Sequence, residues 1–205
     1  YIVTDRSWLG TETLEDQVQK AIDGGATFLQ IREKELDFRE FVEEANRLKI
    51  LAQQAEIPYV INDDVAVAVA IDADGVHIGQ SDGKVSEVRR QLGPDKILGV
   101  SAQTLEQALA AEKDGADYLG VGAVFSTSTK TDAVEVDHET LKAICEGVSI
   151  PVVAIGGINE GNLLDLKGTG VSGVAVISTI FAKPDIQAAS QNIRKLSQEM
   201  VNAYD

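Results

Sequence analysis

Two aspartates, Asp63 and Asp82, each stand just after a short apolar run of the sequence. If the two runs form neighbouring strands, the carboxylates lie close together and repel each other unless a cation lies between them. Because Mg²⁺ commonly takes one or two carboxylates, several waters and substrate phosphate oxygens, the pair is a candidate metal site. A simpler interpretation stays open, in which Asp63 is solvated and Asp82 caps a turn, since aspartate is common in loops.

Three basic residues could bind an anionic group beside these carboxylates. Arg32 and Lys34 are two residues apart at the end of another apolar run, so in a strand both side chains point to the same face. Lys130 lies in a stretch rich in serine and threonine. Together, these cations could hold a diphosphate through forked and point-charge contacts. The alternative is that the strand-end cations form ordinary surface pairs with Glu33 or Glu35.

A pair of glycines, Gly156 and Gly157, follows the seventh apolar run and precedes a helix that we expect to begin near Asn159. Glycine lets backbone N–H groups approach an anion closely, and a helix N-terminus favours negative charge. Together with Ile177 and Ser178 after the eighth run, this pattern predicts a phosphate site. The glycines alone could equally close a tight turn.

The two histidines and the single cysteine are weaker candidates for chemistry. His77 lies inside the fourth run, where a hydrogen-bonded residue of a barrel interior is a simpler interpretation than a catalytic base. We expect His138 to be solvated and Cys145 to pack against an apolar neighbour. With no cluster of cysteine and histidine, the sequence argues against a structural zinc site.

Eight short apolar runs that alternate with amphipathic stretches must position these residues. The runs barely alternate in polarity, as is typical of parallel strands covered on both faces. The clearest helical patterns are 38–55, 104–114 and 184–203. The strands are predicted at 1–4, 28–32, 59–62, 75–79, 97–101, 118–123, 151–156 and 173–178.

Eight βα units predict an α/β fold, a (β/α)₈ TIM barrel that occupies residues 1–205 as one domain. A doubly wound open sheet is disfavoured because no G-x-G-x-x-G follows the first strand. In a barrel the active site lies at the carboxyl ends of the strands, where the polar residues described above are found. The hydroxyl-rich segment 125–137 is long for a βα loop and is a candidate lid.

The overall charge limits the partners of this protein. The 205 residues include 18 basic and 33 acidic side chains, which give a net charge of −15 and argue against nucleic acid. An anionic substrate must therefore meet locally concentrated positive charge or a metal. No apolar stretch is long enough for a membrane span. We expect a cytoplasmic protein that acts on small molecules, with acidic helix faces compatible with a homo-oligomer.

The order of these motifs along the chain resembles the thiamine-phosphate synthase family. The resemblance extends over essentially the whole sequence, and several motifs in fixed order are more specific than any one of them. The family fold is also a (β/α)₈ barrel. The motifs are Tyr1–Asp5, Gln30–Lys34, Ile61–Asp63, Ala73–Asp82, Gly99–Ser101, Gly115–Tyr118, Thr127–Lys130, Val153–Ile158 and Gly173–Ser178.

The resemblance implies a transferase that joins hydroxymethylpyrimidine diphosphate to thiazole phosphate and yields thiamine phosphate and pyrophosphate. Mg²⁺, held by Asp63 and Asp82, assists the loss of pyrophosphate and a pyrimidine cation results. The implied catalytic residues are Arg32, Lys130 and Ser101. The implied ligands of the pyrimidine diphosphate are Gln30, Ile31, Arg32, Glu33, Lys34, Asn62, Ser101 and Lys130. The implied ligands of the thiazole phosphate are Thr127, Ser128, Thr129, Gly157, Ile177 and Ser178.

Some positions depart from the family pattern without touching these assigned residues. They are Asp64, Ala66, Gln103, Ala123 and Ser126. Three other functions remain open at this point: the related thiazole tautomerase, a non-catalytic barrel that binds a phosphate ligand, and another phosphate-binding barrel isomerase. A tautomerase releases no diphosphate, so the joint presence of the two aspartates with Arg32 and Lys130 favours the synthase.

Overall fold

A computed structural model describes residues 1–127 and 135–202 of the chain. Eight strands form one sheet in which every neighbouring pair is parallel and the strand order follows the chain. A parallel bridge between Ile2 and Val176 joins the last strand to the first, so that the sheet curves into a barrel. The strands are β1 Ile2–Val3, β2 Leu29–Ile31, β3 Tyr59–Asn62, β4 Gly75–Ile78, β5 Ile97–Ala102, β6 Tyr118–Val121, β7 Val152–Ile155 and β8 Gly173–Ala175.

Helices pack around this sheet and connect its strands. In chain order they are α1 Leu14–Asp23, α2 Phe38–Gln54, α3 Val65–Ala70, α4 Val85–Leu92, α5 Leu105–Lys113, α6 His138–Gly147, α7 Ser178–Phe181 and α8 Ile186–Val201. Short 3₁₀ turns follow β1 at Arg6–Trp8 and β7 at Leu163–Leu166. None of the described helices has both the length and the apolar composition that crossing a lipid bilayer requires.

Helix α2 shows how the sequence pattern builds the outer layer. Its buried apolar residues Phe41, Ala45, Leu48 and Ala52 are spaced by four, three and four, so they share one face of the helix. An aspartate-glutamate capping box, Asp37 with Glu40, begins the helix by satisfying free backbone N–H groups. The apolar face packs on the sheet, and its burial stabilises the position of the loop that precedes α2.

Side chains along each strand alternate between the helix layer and the barrel axis. Leu29 and Ile31 of β2 are fully buried in the apolar core, whereas Gln30 and Arg32 line the cavity at the top of the barrel. The period of two is a property of extended backbone. Arg32 and Lys34 both line the cavity, which confirms the prediction that they share a face. The alternation therefore determines which side chains of this segment reach the site.

The predicted (β/α)₈ barrel is confirmed, with one difference in the seventh crossover. The helix expected near Asn159 is wrong, because the only helical segment between β7 and β8 is the 3₁₀ turn Leu163–Leu166. Asn159 and Asn162 explain the difference. The Asn162 side chain accepts a bond from the Asn159 backbone N–H (2.8 Å), and the Asn159 side chain accepts one from Gly161 (2.9 Å). These local bonds compete with helix formation.

Candidate active site

A cavity of about 930 Å³ lies over the carboxyl ends of the strands. Its size is at the upper end for small-molecule sites, which leaves room for two substrates. The cavity brings together most of the residues that the sequence predicts as ligands. Those lining it are Gln30, Arg32, Lys34, Asn62, Asp63, Asp82, Ser101, Thr127, Gly157, Ile177 and Ser178.

Two predicted ligands, Ile31 and Glu33, do not direct their side chains into the cavity, and three others lie outside the described residues. Ile31 is fully buried in the core, so only its backbone could contact a ligand. The Glu33 side chain is 3% exposed and pairs with Arg6 instead. Ser128, Thr129 and Lys130 lie outside the described residues. The period of two along β2 explains Ile31 and Glu33, which alternate with the residues facing the cavity.

Asp63 and Asp82 meet at one side of the cavity, close enough for each carboxyl to shift the pKa of the other. Burial raises the pKa of Asp63, and Asp82 adds to this rise while Lys34 opposes it. Burial also disfavours ionised Asp82, but a bond from the Gly79 backbone N–H (2.7 Å) and other polar contacts outweigh it and lower the pKa of Asp82.

This pair fits a magnesium ion by the chemistry of its donors. Two carboxylates beside a roomy polar cavity match an ion that keeps several waters and takes substrate phosphate oxygens. Among residues 1–127 and 135–202, the structure contains no group of three or more histidine, cysteine or acidic side chains that could hold a metal alone. The Asp82 carboxylate also accepts the Gly79 backbone N–H, so the interpretation of Asp82 as a turn cap is confirmed, while the metal site stays a prediction.

Asp64, one of the departures from the family pattern, has a structural role beside this pair. Its carboxylate accepts a bond from the backbone N–H of Val67 (2.9 Å) and caps helix α3. Such a cap stabilises a helix by about 1 kcal/mol. The Asp64 carboxylate therefore serves as the cap of helix α3.

Two of the predicted cations, Arg32 and Lys34, lie beside the carboxylates. The Lys34 ammonium contacts the Asp63 carboxylate at 2.6 Å, so its partner is neither Glu33 nor Glu35. The Arg32 guanidinium is 3.9 Å from Asp5, and its side chain is 28% exposed. Both cations border the cavity, which concentrates positive charge locally in a strongly acidic protein. This is the end of the cavity that suits a diphosphate.

A chain of hydrogen bonds crosses the cavity floor. The Gln30 amide donates to the Tyr1 hydroxyl, which lies 2.7 Å from the Tyr118 hydroxyl. The two ring nitrogens of His77 bond the hydroxyls of Tyr118 (2.8 Å) and Ser101 (2.9 Å). The prediction of a hydrogen-bonded interior histidine is confirmed. Burial lowers the pKa of His77 to about 4, so the ring is neutral at physiological pH.

This buried histidine makes stability depend on pH. The unfolded chain binds a proton on His77 below about pH 6.5, whereas the folded chain binds it only below about pH 4. The free energy of unfolding should therefore fall by about 3 kcal/mol as pH drops from 7 to 4. Urea unfolding across this range should show a smaller fall for His77→Gln. His138→Gln is the matched control and should show the same fall in unfolding free energy as wild type. An equal fall in all three proteins would contradict the assignment of this pH dependence to His77.

The opposite wall of the cavity is built from the loops after β6, β7 and β8. Gly157 has φ +65°, and a Cβ there would lie 2.4 Å from the Ser126 carbonyl oxygen. Glycine thus permits both the left-handed backbone and the close approach of the β6 loop. The Thr179 hydroxyl donates to the Ile158 carbonyl and ties the β8 loop to the β7 loop. Ser178 begins the short helix α7 at this wall.

Gly157 offers a direct test of this packing. The variant Gly157→Ala should lose about 2 kcal/mol of stability, because the left-handed conformation costs a side chain about 1–2 kcal/mol and the new Cβ also meets backbone. Gly168→Ala is the control, since Gly168 has φ +83° but a Cβ added there would meet no heavy atom within 4 Å. We expect urea unfolding to show the larger loss for Gly157→Ala. Equal losses would mean that the loop contact contributes nothing.

The fold and the cavity over its strand ends define the class of (β/α)₈-barrel enzymes. A family model described as thiamine monophosphate synthase matches residues 1–180. A thiamine-phosphate synthase of Ruminiclostridium cellulolyticum is 50% identical over 196 residues, covering 96% of this chain and 93% of that protein. The same enzyme of Clostridium beijerinckii is 50% identical over 194 residues, covering 95% and 93%.

A solved structure agrees with these relatives. The thiamine phosphate pyrophosphorylase of Pyrococcus furiosus superposes with a TM-score of 0.90 at 41% identity, covering 98% of this chain and 96% of that one. The chain belongs to the thiamine monophosphate synthase family. It is a transferase enzyme of thiamine biosynthesis that acts on small molecules.

Several residues in and around the cavity were not among the predicted site residues. Tyr118 and Tyr1 lie on the cavity floor, and both fall within motifs of the family resemblance, but the sequence analysis assigned them no role. Arg6 and Glu44 pair across 38 residues. Glu44 lies three residues after Phe41, so the helical spacing places it on the buried face of α2 and was a signal that could have found it. The spacing does not identify the partner of Glu44, because the pairing joins distant segments.

Proposed function

We propose that this chain joins hydroxymethylpyrimidine diphosphate to thiazole phosphate and releases thiamine phosphate and pyrophosphate. The observation that carries the proposal is one cavity with two different ends. Carboxylates and cations, Asp63, Asp82, Arg32 and Lys34, form one end. A glycine loop with Ser178 forms the other. Two anionic substrates can therefore bind together with their reacting atoms between the ends.

The diphosphate binds at the carboxylate and cation end. Asp63 and Asp82 would hold Mg²⁺, which neutralises charge on the departing pyrophosphate. Arg32 can fork onto two phosphate oxygens, and the Lys34 ammonium, which lines the same end of the cavity, would add a second positive charge there. Lys130 is assigned to the same diphosphate because the segment Thr127–Lys130 resembles the family motif. Electrostatic stabilisation of the leaving group is the main contribution of these residues.

The bond changes need no protein nucleophile. The bond between the pyrimidine methylene carbon and the diphosphate oxygen breaks, and both electrons leave with pyrophosphate. The ring-stabilised cation then accepts the lone pair of the thiazole nitrogen, which forms the new carbon–nitrogen bond. Gln30, Asn62 and Ser101 hold the pyrimidine on the cavity floor, so the barrel aligns the two reactants and keeps water away from the cation.

The thiazole phosphate binds at the glycine-loop wall. Loops after strands seven and eight, with a short extra helix, are the usual phosphate site of this fold. Gly157 and Ser178 line the cavity there, and Ile177 precedes α7. Thr127 approaches from the β6 loop. Ser128 and Thr129 are assigned by resemblance alone.

The test is a turnover assay with both substrates, with and without Mg²⁺. We expect thiamine phosphate and pyrophosphate to appear in equal amounts and only when Mg²⁺ is present. Isomerisation of the thiazole phosphate without any thiamine phosphate would instead support a tautomerase. Binding of both compounds without chemical change would support a non-catalytic phosphate binder.

A further inference from the structure

A buried carboxylate on the outer helix layer has no role in the reaction described above. Glu44 lies on α2, and its side chain is only 4% exposed. Burying a charge is costly unless a partner compensates it. The Oε1 atom of Glu44 accepts a bond from Arg6, whereas Oε2 has no hydrogen-bond donor among the described residues. Glu44 therefore depends on Arg6 for the compensation of its buried charge.

Arg6 joins this carboxylate to a second one. Its Nε donates to both oxygens of Glu33, at 2.9 and 3.0 Å, while its Nη2 donates to Glu44. The Glu33 side chain is 3% exposed. Arg47 lies farther away, with its Nη2 at 3.9 Å from Glu44. One close guanidinium thus serves two buried carboxyl groups.

The charge balance of this cluster agrees with a proton held inside it. Burial raises the pKa of Glu33 to about 7, and the nearby Glu44 adds to the rise while Arg6 opposes it. A protonated Glu33 carboxyl would supply the donor that Glu44 Oε2 lacks. The two carboxyl groups and the guanidinium would then bond to one another.

The cluster is directly connected to the cations of the active site. Three consecutive residues after β1 contact two consecutive residues after β2. The Thr4 hydroxyl accepts from the Arg32 backbone N–H (2.9 Å), Asp5 lies 3.9 Å from the Arg32 guanidinium, and Arg6 binds Glu33. Because side chains alternate along this segment, fixing Glu33 on the helix side directs its two neighbours toward the cavity.

We propose that Arg6 and Glu44 are positioning residues, which clamp Glu33 against helix α2 and so hold Arg32 and Lys34 in register for the diphosphate. Glu33 is then an anchor of the loop and its carboxylate does not contact substrate. The inference deepens the proposed function and rests on it. It also predicts a selective defect, because the thiazole-phosphate wall is built from other loops.

The first test compares Arg6→Met with wild type in steady-state kinetics and in calorimetric binding of magnesium pyrophosphate. We expect kcat/KM for the pyrimidine diphosphate to fall about tenfold or more, since displaced catalytic groups lose rate steeply. Pyrophosphate binding should weaken in parallel, whereas thiazole phosphate binding should stay within about twofold. Arg39→Met is the matched control, because Arg39 lies on α2 with its side chain 88% exposed.

Conservative variants separate positioning from mere folding. Glu44→Gln keeps an acceptor for Arg6, and its amide N–H can donate to an ionised Glu33 carboxylate, so the clamp survives with the direction of that one bond reversed and we expect near wild-type kinetics. Arg6→Lys keeps the charge but lacks the planar guanidinium that donates to both carboxyls in fixed directions, so an intermediate loss of about threefold to tenfold is expected. If Arg6→Met fails to fold, the kinetics of Glu44→Gln and Arg6→Lys test the positioning role instead. Wild-type kinetics in Arg6→Lys, or equal losses for both substrates in Arg6→Met, would overturn the inference.

The binding measurement keeps this inference distinct from the proposed function. A wild-type chain that binds magnesium pyrophosphate without turning over the substrates would overturn the proposed function alone. Selective weakening of pyrophosphate binding by Arg6→Met would then still support the clamp. A wild-type chain that binds no magnesium pyrophosphate would overturn both.

Discussion

Replacing Asp82 by Asn is expected to lower kcat by about 100-fold or more at saturating substrates and to weaken the response to Mg²⁺. The substitution removes the carboxylate that remains ionised in the aspartate pair. An asparagine oxygen can still accept the bond from the Gly79 backbone N–H, so the turn should survive. Initial rates across a Mg²⁺ titration, with urea unfolding measured in parallel, check this expectation.

Asp64→Asn is the matched control for this variant. Asp64 is next to Asp63 in sequence, but its carboxylate caps helix α3. Asparagine is an equally good cap, so both stability and Mg²⁺ dependence should stay near wild type. If Asp82→Asn keeps full activity, or if Asp64→Asn loses as much, the assignment of the metal ligands is wrong.

Replacing Arg32 by Met is expected to lower kcat by about 100-fold to 1,000-fold, because the guanidinium acts on charge that develops as pyrophosphate leaves. Methionine keeps the unbranched apolar stem of the side chain and removes the forked donors. The Arg32 backbone N–H would still donate to Thr4, so the loop should keep its place. Pyrophosphate release, followed at saturating levels of both substrates, measures the effect.

Two comparisons give this second prediction its control. Arg32→Lys should recover part of the lost rate, since an ammonium supplies charge without the planar fork. Arg39→Met, a change at an exposed guanidinium, should leave kcat unchanged. A rise in KM for the diphosphate with kcat intact would show instead that Arg32 contributes only uniform binding.

Local sequence pattern was sufficient to predict the barrel and much of the cavity. The eight apolar runs became eight parallel strands, and the period of two correctly placed Arg32 and Lys34 on the cavity face. The same rule places Glu33 on the other face, although the resemblance alone assigned it to the substrate. Periodicity and position at strand ends therefore predicted those site residues whose side-chain direction is set by the strand on which they lie.

What the sequence could not predict depends on contacts between distant segments. The helix expected near Asn159 does not form, because side chains within the same loop bond to the backbone N–H groups there. Arg6, Glu33 and Glu44 come from three separate elements, and their pairing follows only from the closed barrel. Asp64 was known from the sequence only as a departure from the family pattern, and the structure shows that it caps α3. Each of these outcomes depends on tertiary geometry.

The central claim is that one cavity binds two anions at separate ends. Calorimetric titration of magnesium pyrophosphate and of thiazole phosphate, each alone and in the presence of the other, tests it most directly. We expect both to bind the same chain at once, with Asp82→Asn weakening only pyrophosphate. Displacement of one compound by the other, or equal weakening of both by Asp82→Asn, would contradict the account.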